Sequence, residues 1–212
     1  MEEFFTIKDK ASAEVTEKKS KFIANIFYVE SKNKAEIIIK EIRKKYHDAR
    51  HNCIAYRVYD NGNIIEKSSD DGEPSGTAGA PMLEILKNNN LCNVLVIVTR
   101  YFGGILLGTG GLVRAYSDSV LKAIDNSTKV KKSKGLEATA EVEYNTIDNF
   151  KYYCKINNIH IINMEYSNVV ICKIELENSI KEKLIDDIGT KKININNLKI
   201  ICEKFINKSV EK

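Results

Sequence analysis

An uninterrupted apolar run in the middle of the chain is the sequence feature that most constrains the fold. Residues 94–98 read Val-Leu-Val-Ile-Val, and the chain has no longer apolar run. Five residues fall far short of the about 18 that a membrane-spanning helix needs, but they suit a buried β-strand. Five glycines follow within 103–111, and the apolar spacing of 112–124 then predicts a helix. The segment therefore predicts a buried strand joined to a helix by a glycine-rich turn.

The residues before this segment predict further strands and one helix. Residues 12–30 read as two strands around a polar turn, Glu17-Lys18-Lys19. The alternation of the second strand is only partial, which is typical of a strand covered on both sides. Apolar residues at helical spacing predict a helix over 33–46, with Asn33 and Glu36 at capping-box positions.

A hairpin and a long loop come next. Strand-like runs at 53–59 and 64–67 flank Asn61-Gly62, a pair that favours a tight hairpin because both turn positions need positive φ. The loop at 68–79 leads into a short helix over about 81–87. This part of the chain is therefore predicted to mix strands and helices.

The composition turns polar and basic at 126–135, which indicates a linker between two domains. We expect a first domain over 1–130 and a second over 136–212. The second shows six short elements: strand 136–144, helix 146–157, strand 159–166, strand 168–176, helix 179–188 and strand 193–203. This βαββαβ order is ferredoxin-like, so the predicted fold class is α+β in two domains. No candidate site is predicted in the second domain.

Composition and charge exclude several classes of protein. Hydrophobic residues make up 43% of the chain and charged residues 29%, as in an ordinary globular protein and not a disordered one. The N-terminus, Met-Glu-Glu, lacks a signal-peptide pattern, so we expect a cytoplasmic protein with no membrane partner. Residues 1–134 carry a net charge of +5 and the remainder −1, which mildly favours an anionic partner for the first part.

The cysteines argue against a disulfide framework and a zinc site. There are five, an odd number, widely spread and without a Cys-x-x-Cys pair. His51 and Cys53 stand two apart at a strand start, where they could form a thiolate–imidazole pair or half a metal site. Because no second pair of ligands is visible, a hydrogen-bonded histidine beside a buried cysteine is favoured. No metal or other cofactor is expected.

Three carboxylates lie within four residues of the long loop, at Asp70, Asp71 and Glu73. Such a cluster could hold Mg²⁺ or supply a general base, and Ser75 could be a nucleophile, although no Gly-x-Ser-x-Gly elbow surrounds it. The alternative is a tight structural loop whose carboxylates cap backbone N–H groups or pair with arginines. We call residues 70–79 the acidic loop.

The best anion-site candidate is the segment of residues 100–114, which we call the glycine/arginine loop. Glycines let a ligand approach the backbone, and the start of the next helix offers unpaired N–H donors. Arginines could add bidentate phosphate contacts, and Tyr101 and Phe102 could stack on bases. The candidate residues for nucleic-acid or anion binding are Arg100, Tyr101, Gly103, Gly104, Gly108, Gly110, Gly111 and Arg114.

A purely structural interpretation of the same loop remains open. The glycines then pack a helix against a sheet, the aromatic residues join the core, and the arginines pair with the carboxylates of the acidic loop. Gly103 and Gly108 have P-loop spacing, but Thr109-Gly110 stands where a P-loop needs Lys and Ser or Thr. A nucleoside triphosphatase is therefore disfavoured.

Taken together, these motifs resemble the YigZ/IMPACT family over about residues 20–125. The segments that carry the resemblance are 49–56, 70–79, 79–83, 97–108 and 108–116. The resemblance implies a first domain with the βαβ fold of elongation factor G domain IV and a ribosomal protein domain, and a ferredoxin-like second domain. It also implies a link to translation, which eukaryotic relatives regulate by competing for the activator of a stress kinase. Nucleic-acid binding has been proposed for bacterial members.

Three functions follow from these observations. The first is a non-enzymatic module that binds RNA or the ribosome through the glycine/arginine loop. The second is a translation regulator that recognises a protein partner instead. The third is a small hydrolase using His51 and the acidic loop, and it ranks last because the sequence shows no dimetal cluster or nucleophile constellation. The sequence therefore leans against an enzyme.

Overall fold

The structure is a computed structural model that describes residues 3–60 and 62–208. Over these residues the chain divides into two compact units, the first covering 3–130 and the second 131–208. The described part of the chain contains ten strands and five helices, and the helices are interspersed among the strands. The α+β class is therefore confirmed.

An antiparallel sheet forms the centre of the first unit. Its strands are β2 (Ala11–Glu17), β3 (Ser20–Tyr28), β4 (His51–Asp60), β5 (Asn63–Ser69) and β6 (Val94–Tyr101), and a short β1 (Glu3–Ile7) precedes them. The order is β2-β3-β6-β4-β5. Both β3 and β4 run antiparallel to β6, so α1 (Lys32–Lys45) links two strands that point the same way. The β3-α1-β4 connection is a βαβ crossover with one strand inserted.

The apolar run identified in the sequence is the central strand β6, which is covered on both faces. Its three valines pack with α2 (Gly79–Asn88) and α3 (Thr109–Asp125). Leu95 and Ile97 point to the other face and pack with α1. The absence of polar alternation in the run follows from this three-layer arrangement.

The cap of α1 differs from the prediction. Ser31 is the N-cap, and its Oγ accepts a hydrogen bond from the amide of Lys34 at 3.2 Å. The predicted capping box of Asn33 and Glu36 is therefore wrong. Serine is among the preferred N-caps, because its short side chain satisfies a first-turn donor.

Helix α3 begins at Thr109, three residues before the predicted start. Its first turn contains Gly110 and Gly111, which look like loop residues in the sequence. Glycine is destabilising mainly in the middle of a helix. The first turn is the end of the helix, where the amides have no intrahelical acceptor, so two glycines can stand there. The β4–β5 hairpin pairs Asp60 with Asn63 as predicted. The predicted turn residue Asn61 lies outside the described residues.

The second unit is a four-stranded antiparallel sheet with two helices. Its elements are β7 (Lys129–Val142), α4 (Ile147–Ile156), β8 (His160–Tyr166), β9 (Val170–Glu177), α5 (Asn178–Gly189) and β10 (Asn197–Asn207). Within this unit the strand order is β10-β7-β9-β8. Alternate strand residues and both helices share one apolar core. The predicted element order is confirmed, although β10 begins four residues later than predicted.

The linker predicted over 126–135 is wrong from Lys129 onward, because these residues form the start of β7. Residues 132–135 pair with β10. Lys132 and Lys134 are half-buried, whereas Ser133 and Gly135 are buried. A ladder needs only backbone groups, so a basic stretch can form a strand when it alternates in this way.

Two further expectations concern membranes and cysteines. Among the described helices, none combines the length and the apolar character that crossing a membrane requires. Cys53, Cys92, Cys154 and Cys172 are buried, and Cys202 is exposed. The predicted burial of Cys53 is therefore confirmed, and three further cysteines are also core residues.

Candidate functional site

A cavity of about 370 Å³ opens in the first unit where β4 begins and β6 ends. The sheet creates it, because His51 of β4 is the register partner of Arg100 of β6. We call it the strand-end cavity. Its lining comprises Arg50, His51, Glu73, Pro74, Arg100, Phe102, Leu106, Leu107, Gly108, Thr109 and Leu112. The acidic loop and the glycine/arginine loop therefore meet at one place.

A buried ion pair forms one wall of the strand-end cavity. Nη1 of Arg100 donates to both carboxylate oxygens of Glu73, at 2.7 and 3.0 Å. The two side chains are only 7% and 3% exposed. The guanidinium carbon also lies 5.4 Å from the ring centroid of Phe22 and 5.7 Å from that of Phe102. Arg100 is therefore bound to the acidic loop, as the structural interpretation of the glycine/arginine loop had it.

Tyr116 of α3 ties this pair to the core. Its hydroxyl donates to Oε1 of Glu73 at 2.8 Å. The Sγ of Cys53 lies 3.3 Å from that hydroxyl oxygen and 2.9 Å from the carbonyl oxygen of Asp70. Burial raises the pKa of the Cys53 thiol to about 12 and also raises the pKa of Tyr116. Because only a thiolate is a strong nucleophile, Cys53 serves as a core residue here.

The carboxylates of the acidic loop each have their own structural partners. Asp70 accepts hydrogen bonds from the amides of Gly76, Ala78 and Gly79, at 2.8 to 3.0 Å. Burial opposes ionisation of Asp70, but these three donors outweigh it and hold its pKa below the usual range.

Asp71 binds Arg43 of α1 and the amide of Asn52, both at 2.7 Å. Ser75 is exposed and does not line the strand-end cavity. Within residues 3–60 and 62–208, no three His, Cys, Asp or Glu side chains are grouped as a metal site. The acidic loop is thus held together by the interactions of its own carboxylates.

His51 is fixed by its backbone neighbour. Its Nδ1 lies 2.9 Å from the carbonyl oxygen of Asp71. A carbonyl only accepts, so this nitrogen carries the hydrogen, and in the neutral ring Nε2 is left as an acceptor. The predicted hydrogen-bonded histidine is confirmed, and its ring lines the strand-end cavity.

Two glycines shape the glycine/arginine loop. A Cβ on Gly103 would lie 2.0 Å from the carbonyl carbon of Lys19, so only glycine fits this close approach to the β2–β3 turn. Gly108, the N-cap of α3, has φ of 73°, in the left-handed region. Gly108 gives α3 no side-chain cap, and its first turn holds no acidic residue. The α3 amide donors therefore remain available to an acceptor.

Four further residues of the loop lie at the surface or are only partly covered. Tyr101 donates to Asp48 at 2.8 Å and does not line the cavity. Arg114 is exposed, and its Nε donates to the Gly110 carbonyl oxygen at 3.3 Å. Phe102 is 54% exposed and Leu106 is 83% exposed. The loop therefore presents large apolar side chains to solvent.

The structure brings four predicted site residues to the strand-end cavity: His51, Glu73, Arg100 and Gly108. Arg50 and Thr109 also line it and were not among the predicted site residues. Each directly adjoins a predicted site residue in sequence, but adjacency alone does not show which side chains turn toward a cavity. That information comes from the register of β4 with β6 and from the start of α3.

Comparison with known proteins places this fold and site in a family. The family model described as the Impact N-terminal domain matches residues 18–124, which include the whole strand-end cavity. The IMPACT family member YvyE of Bacillus subtilis is 36% identical over 180 residues, covering 85% of this chain and 81% of the relative. The IMPACT family member YigZ of Escherichia coli is 36% identical over 160 residues, covering 75% and 78%.

A crystal structure described as that of a hypothetical protein matches both units. It is 30% identical, has a TM-score of 0.64, and the match covers 95% of this chain and 98% of that chain. This chain therefore belongs to the IMPACT family, and the YigZ/IMPACT resemblance of its motifs is confirmed.

Proposed function

We propose that this protein is a non-enzymatic, translation-associated regulator that binds RNA, free or in the ribosome, through the glycine/arginine loop. The link to translation rests on family membership and on what the motif resemblance implies for eukaryotic relatives. The observation that carries the RNA partner is the exposed ring of Phe102, in a loop that borders one cavity lined by Arg50 and another lined by Lys18 and Arg114. Stacking on an aromatic face and attraction of phosphate are the two elements of single-strand binding.

Cations flank the loop on both sides. Arg50 lines the strand-end cavity on one side. On the other side, Lys18 and Arg114 line a second cavity of about 400 Å³. Leu107 contributes to both cavities, so the loop runs between them. Glu17 and Asp118 line the second cavity as well, so Lys18 and Arg114 lie there beside two carboxylates. In this proposal phosphate is therefore bound by individual arginine side chains and not by a continuous positive surface.

The role of Arg100 differs from the one the sequence suggested. Its charge is balanced by Glu73, and its guanidinium supports the Phe102 ring at 5.7 Å. In this proposal Arg100 positions the stacking residue, and exposed arginines contact phosphate. The hydrolase alternative weakens for a related reason, since all three acidic-loop carboxylates are engaged by structural partners.

We also propose a fold type for each of the two units. The βαββαβ order and the antiparallel order β10-β7-β9-β8 support a ferredoxin-like second unit. The β3-α1-β4 crossover supports a first unit like elongation factor G domain IV. A translation-associated role would place the protein in the cytoplasm.

Fluorescence anisotropy with a labelled structured ribosomal RNA fragment tests the proposal. We expect the double variant Arg50→Gln/Arg114→Gln to bind at least tenfold more weakly than the wild type at physiological salt. The matched control, Lys155→Gln/Lys199→Gln, removes the same charge from exposed positions of the second unit and should bind like the wild type. Equal weakening in both variants would contradict the proposed surface. Absence of wild-type binding, with a stable protein captured from lysate, would favour the protein-interaction alternative.

A further inference from the structure

The strand-end cavity contains more hydrogen-bond donors than the fold uses. The first turn of α3 has neither a side-chain cap nor an acidic residue. Arg100 is 6% exposed, and its Nε has no hydrogen-bond partner among the described residues. Arg50 adds an exposed cation at the rim. Glu73 is the carboxylate in the lining, and Arg100 and Tyr116 already satisfy it.

The rest of the lining is apolar. Phe102, Leu106, Leu107 and Leu112 face the same space as these donors. The volume of about 370 Å³ falls in the range of small-molecule sites. A site that combines these donors with an aromatic and aliphatic wall fits a ligand that has an anionic group and a flat apolar body.

We propose that the strand-end cavity binds one nucleotide unit. Its phosphate accepts hydrogen bonds from the start of α3, where Gly108 and Thr109 line the cavity, and from Arg50. Its base lies on the exposed face of Phe102. The inference deepens the proposed RNA function and rests on it for the choice of nucleotide over other organic anions. The unit can come from a free mononucleotide or from a residue of an RNA strand, and both offer the same base and phosphate.

Calorimetric titration of the full chain with adenosine 5′-monophosphate, adenosine and inorganic phosphate tests the cavity directly. We expect the monophosphate to bind more tightly than either part. Phe102→Ala should weaken both nucleotide and nucleoside by about tenfold, the scale of one lost stacking contact. Tyr152→Ala, which removes an exposed aromatic ring from the second unit, is the control and should change neither.

Thr109→Asp separates phosphate recognition from stability. Thr109 is exposed at the first position of α3, where a carboxylate favours the helix. The variant should stay folded, lose at least tenfold in affinity for the monophosphate, and keep the wild-type affinity for adenosine. Asn33→Asp adds the same charge to the exposed first turn of α1 and should leave all three affinities unchanged. No monophosphate binding by the wild type, or binding that neither Thr109→Asp nor Phe102→Ala changes, overturns the proposal.

Titration with short single-stranded RNAs, with and without a 5′-phosphate, distinguishes a free nucleotide from an RNA residue as the ligand. It also shows which of the two proposals fails if one of them is wrong. RNA binding that weakens with Thr109→Asp and Phe102→Ala supports an RNA residue in the cavity. Monophosphate binding without RNA binding supports a free nucleotide and overturns the RNA function alone. RNA binding that weakens with Phe102→Ala but not with Thr109→Asp, in a protein that binds no monophosphate, overturns the cavity proposal alone. RNA binding that both variants leave intact overturns both proposals.

Discussion

The buried ion pair of Arg100 and Glu73 makes an unfavourable desolvation contribution to the free energy of folding. Arg100 and Glu73 lose most of their hydration in a place where apolar residues would pack more simply. Buried ion pairs are weak evidence for stability, because the desolvation of two charges offsets much of their attraction. We therefore interpret the pair as a support for the proposed binding surface and not as a source of fold stability.

Breaking this pair from one side should be strongly destabilising. Glu73→Gln removes the negative charge and leaves Arg100 buried without a counter-charge, so we expect a loss of about 3–5 kcal/mol in the free energy of unfolding. Urea unfolding of Glu73→Gln, Arg100→Met and the double variant measures it. The double variant should lose less than the sum of the single losses. Additive losses would contradict a coupled pair.

Asp70 should give the protein a distinct response to acid. Its pKa is lower in the folded protein, so its ionised form contributes stability above the unfolded pKa of about 3.9. That contribution is lost as the pH falls through the folded pKa. The stability difference between wild type and Asp70→Asn should therefore be largest near pH 6 and shrink below about pH 3. Urea midpoints at the two pH values check this, and an equal difference at both would contradict it.

The acidic loop shows where residue-level prediction stops. Turn composition alone indicated a structural loop whose carboxylates cap amides or pair with arginines, and Asp70 and Glu73 do these two things. The sequence did not indicate that Asp71 would pair with Arg43, 28 positions earlier in the chain. Such a pair depends on how α1 lies against the sheet, which no local pattern encodes.

At the scale of elements, the start of α3 is the feature on which the site depends. Gly103 allows the chain to pass close to the β2–β3 turn, and Gly108 turns it into the helix. The sequence predicted the strand, the glycine-rich turn and the helix in the right order. It placed the helix start late because glycine weakens a helix interior, whereas the first turn tolerates it.

Two glycine substitutions should therefore have opposite signs. A Cβ at Gly110 meets no atom within 4 Å, so Gly110→Ala should stabilise the protein by up to about 1 kcal/mol through lower unfolded-state entropy. A Cβ at Gly103 would overlap Lys19, so Gly103→Ala should cost about 1–3 kcal/mol or more. Thermal unfolding of the two variants compares them directly. Equal destabilisation by both would show that the loop tolerates no side chain for another reason.

At the scale of the whole molecule, the pattern of strands and helices was the most predictable property. Short-range periodicity predicted the βαββαβ order of the second unit and the elements of the first unit from β2 onward, but not the short β1. The conformation of the chain between the units was less predictable, since the lysines of 129–134 resemble a linker in composition but form the start of β7. Of these lysines, Lys132 and Lys134 pair with β10, a partner strand more than 60 residues later in the chain.

Thiol reactivity gives a test that covers both units. Burial raises the pKa of Cys53 and Cys154 to about 12 and also raises the pKa of Cys92 and Cys172. Cys202 is the exposed cysteine of the five. Ellman's reagent at pH 8 should therefore modify one thiol quickly in the native protein and five in urea. Cys202→Ser should remove the fast phase, and a fast phase of two or more thiols would contradict the described packing.

The proposed RNA surface is the central claim, and an amide NMR titration of the full chain with ribosomal RNA tests it most directly. Five of the eleven glycines lie at 103–111, and glycine amides occupy their own spectral region. We predict that RNA shifts these glycines together with residues 18–20, and leaves the glycines at 135 and 189 unmoved. Shifts confined to the second unit, or an unchanged spectrum at saturating RNA, would contradict the account.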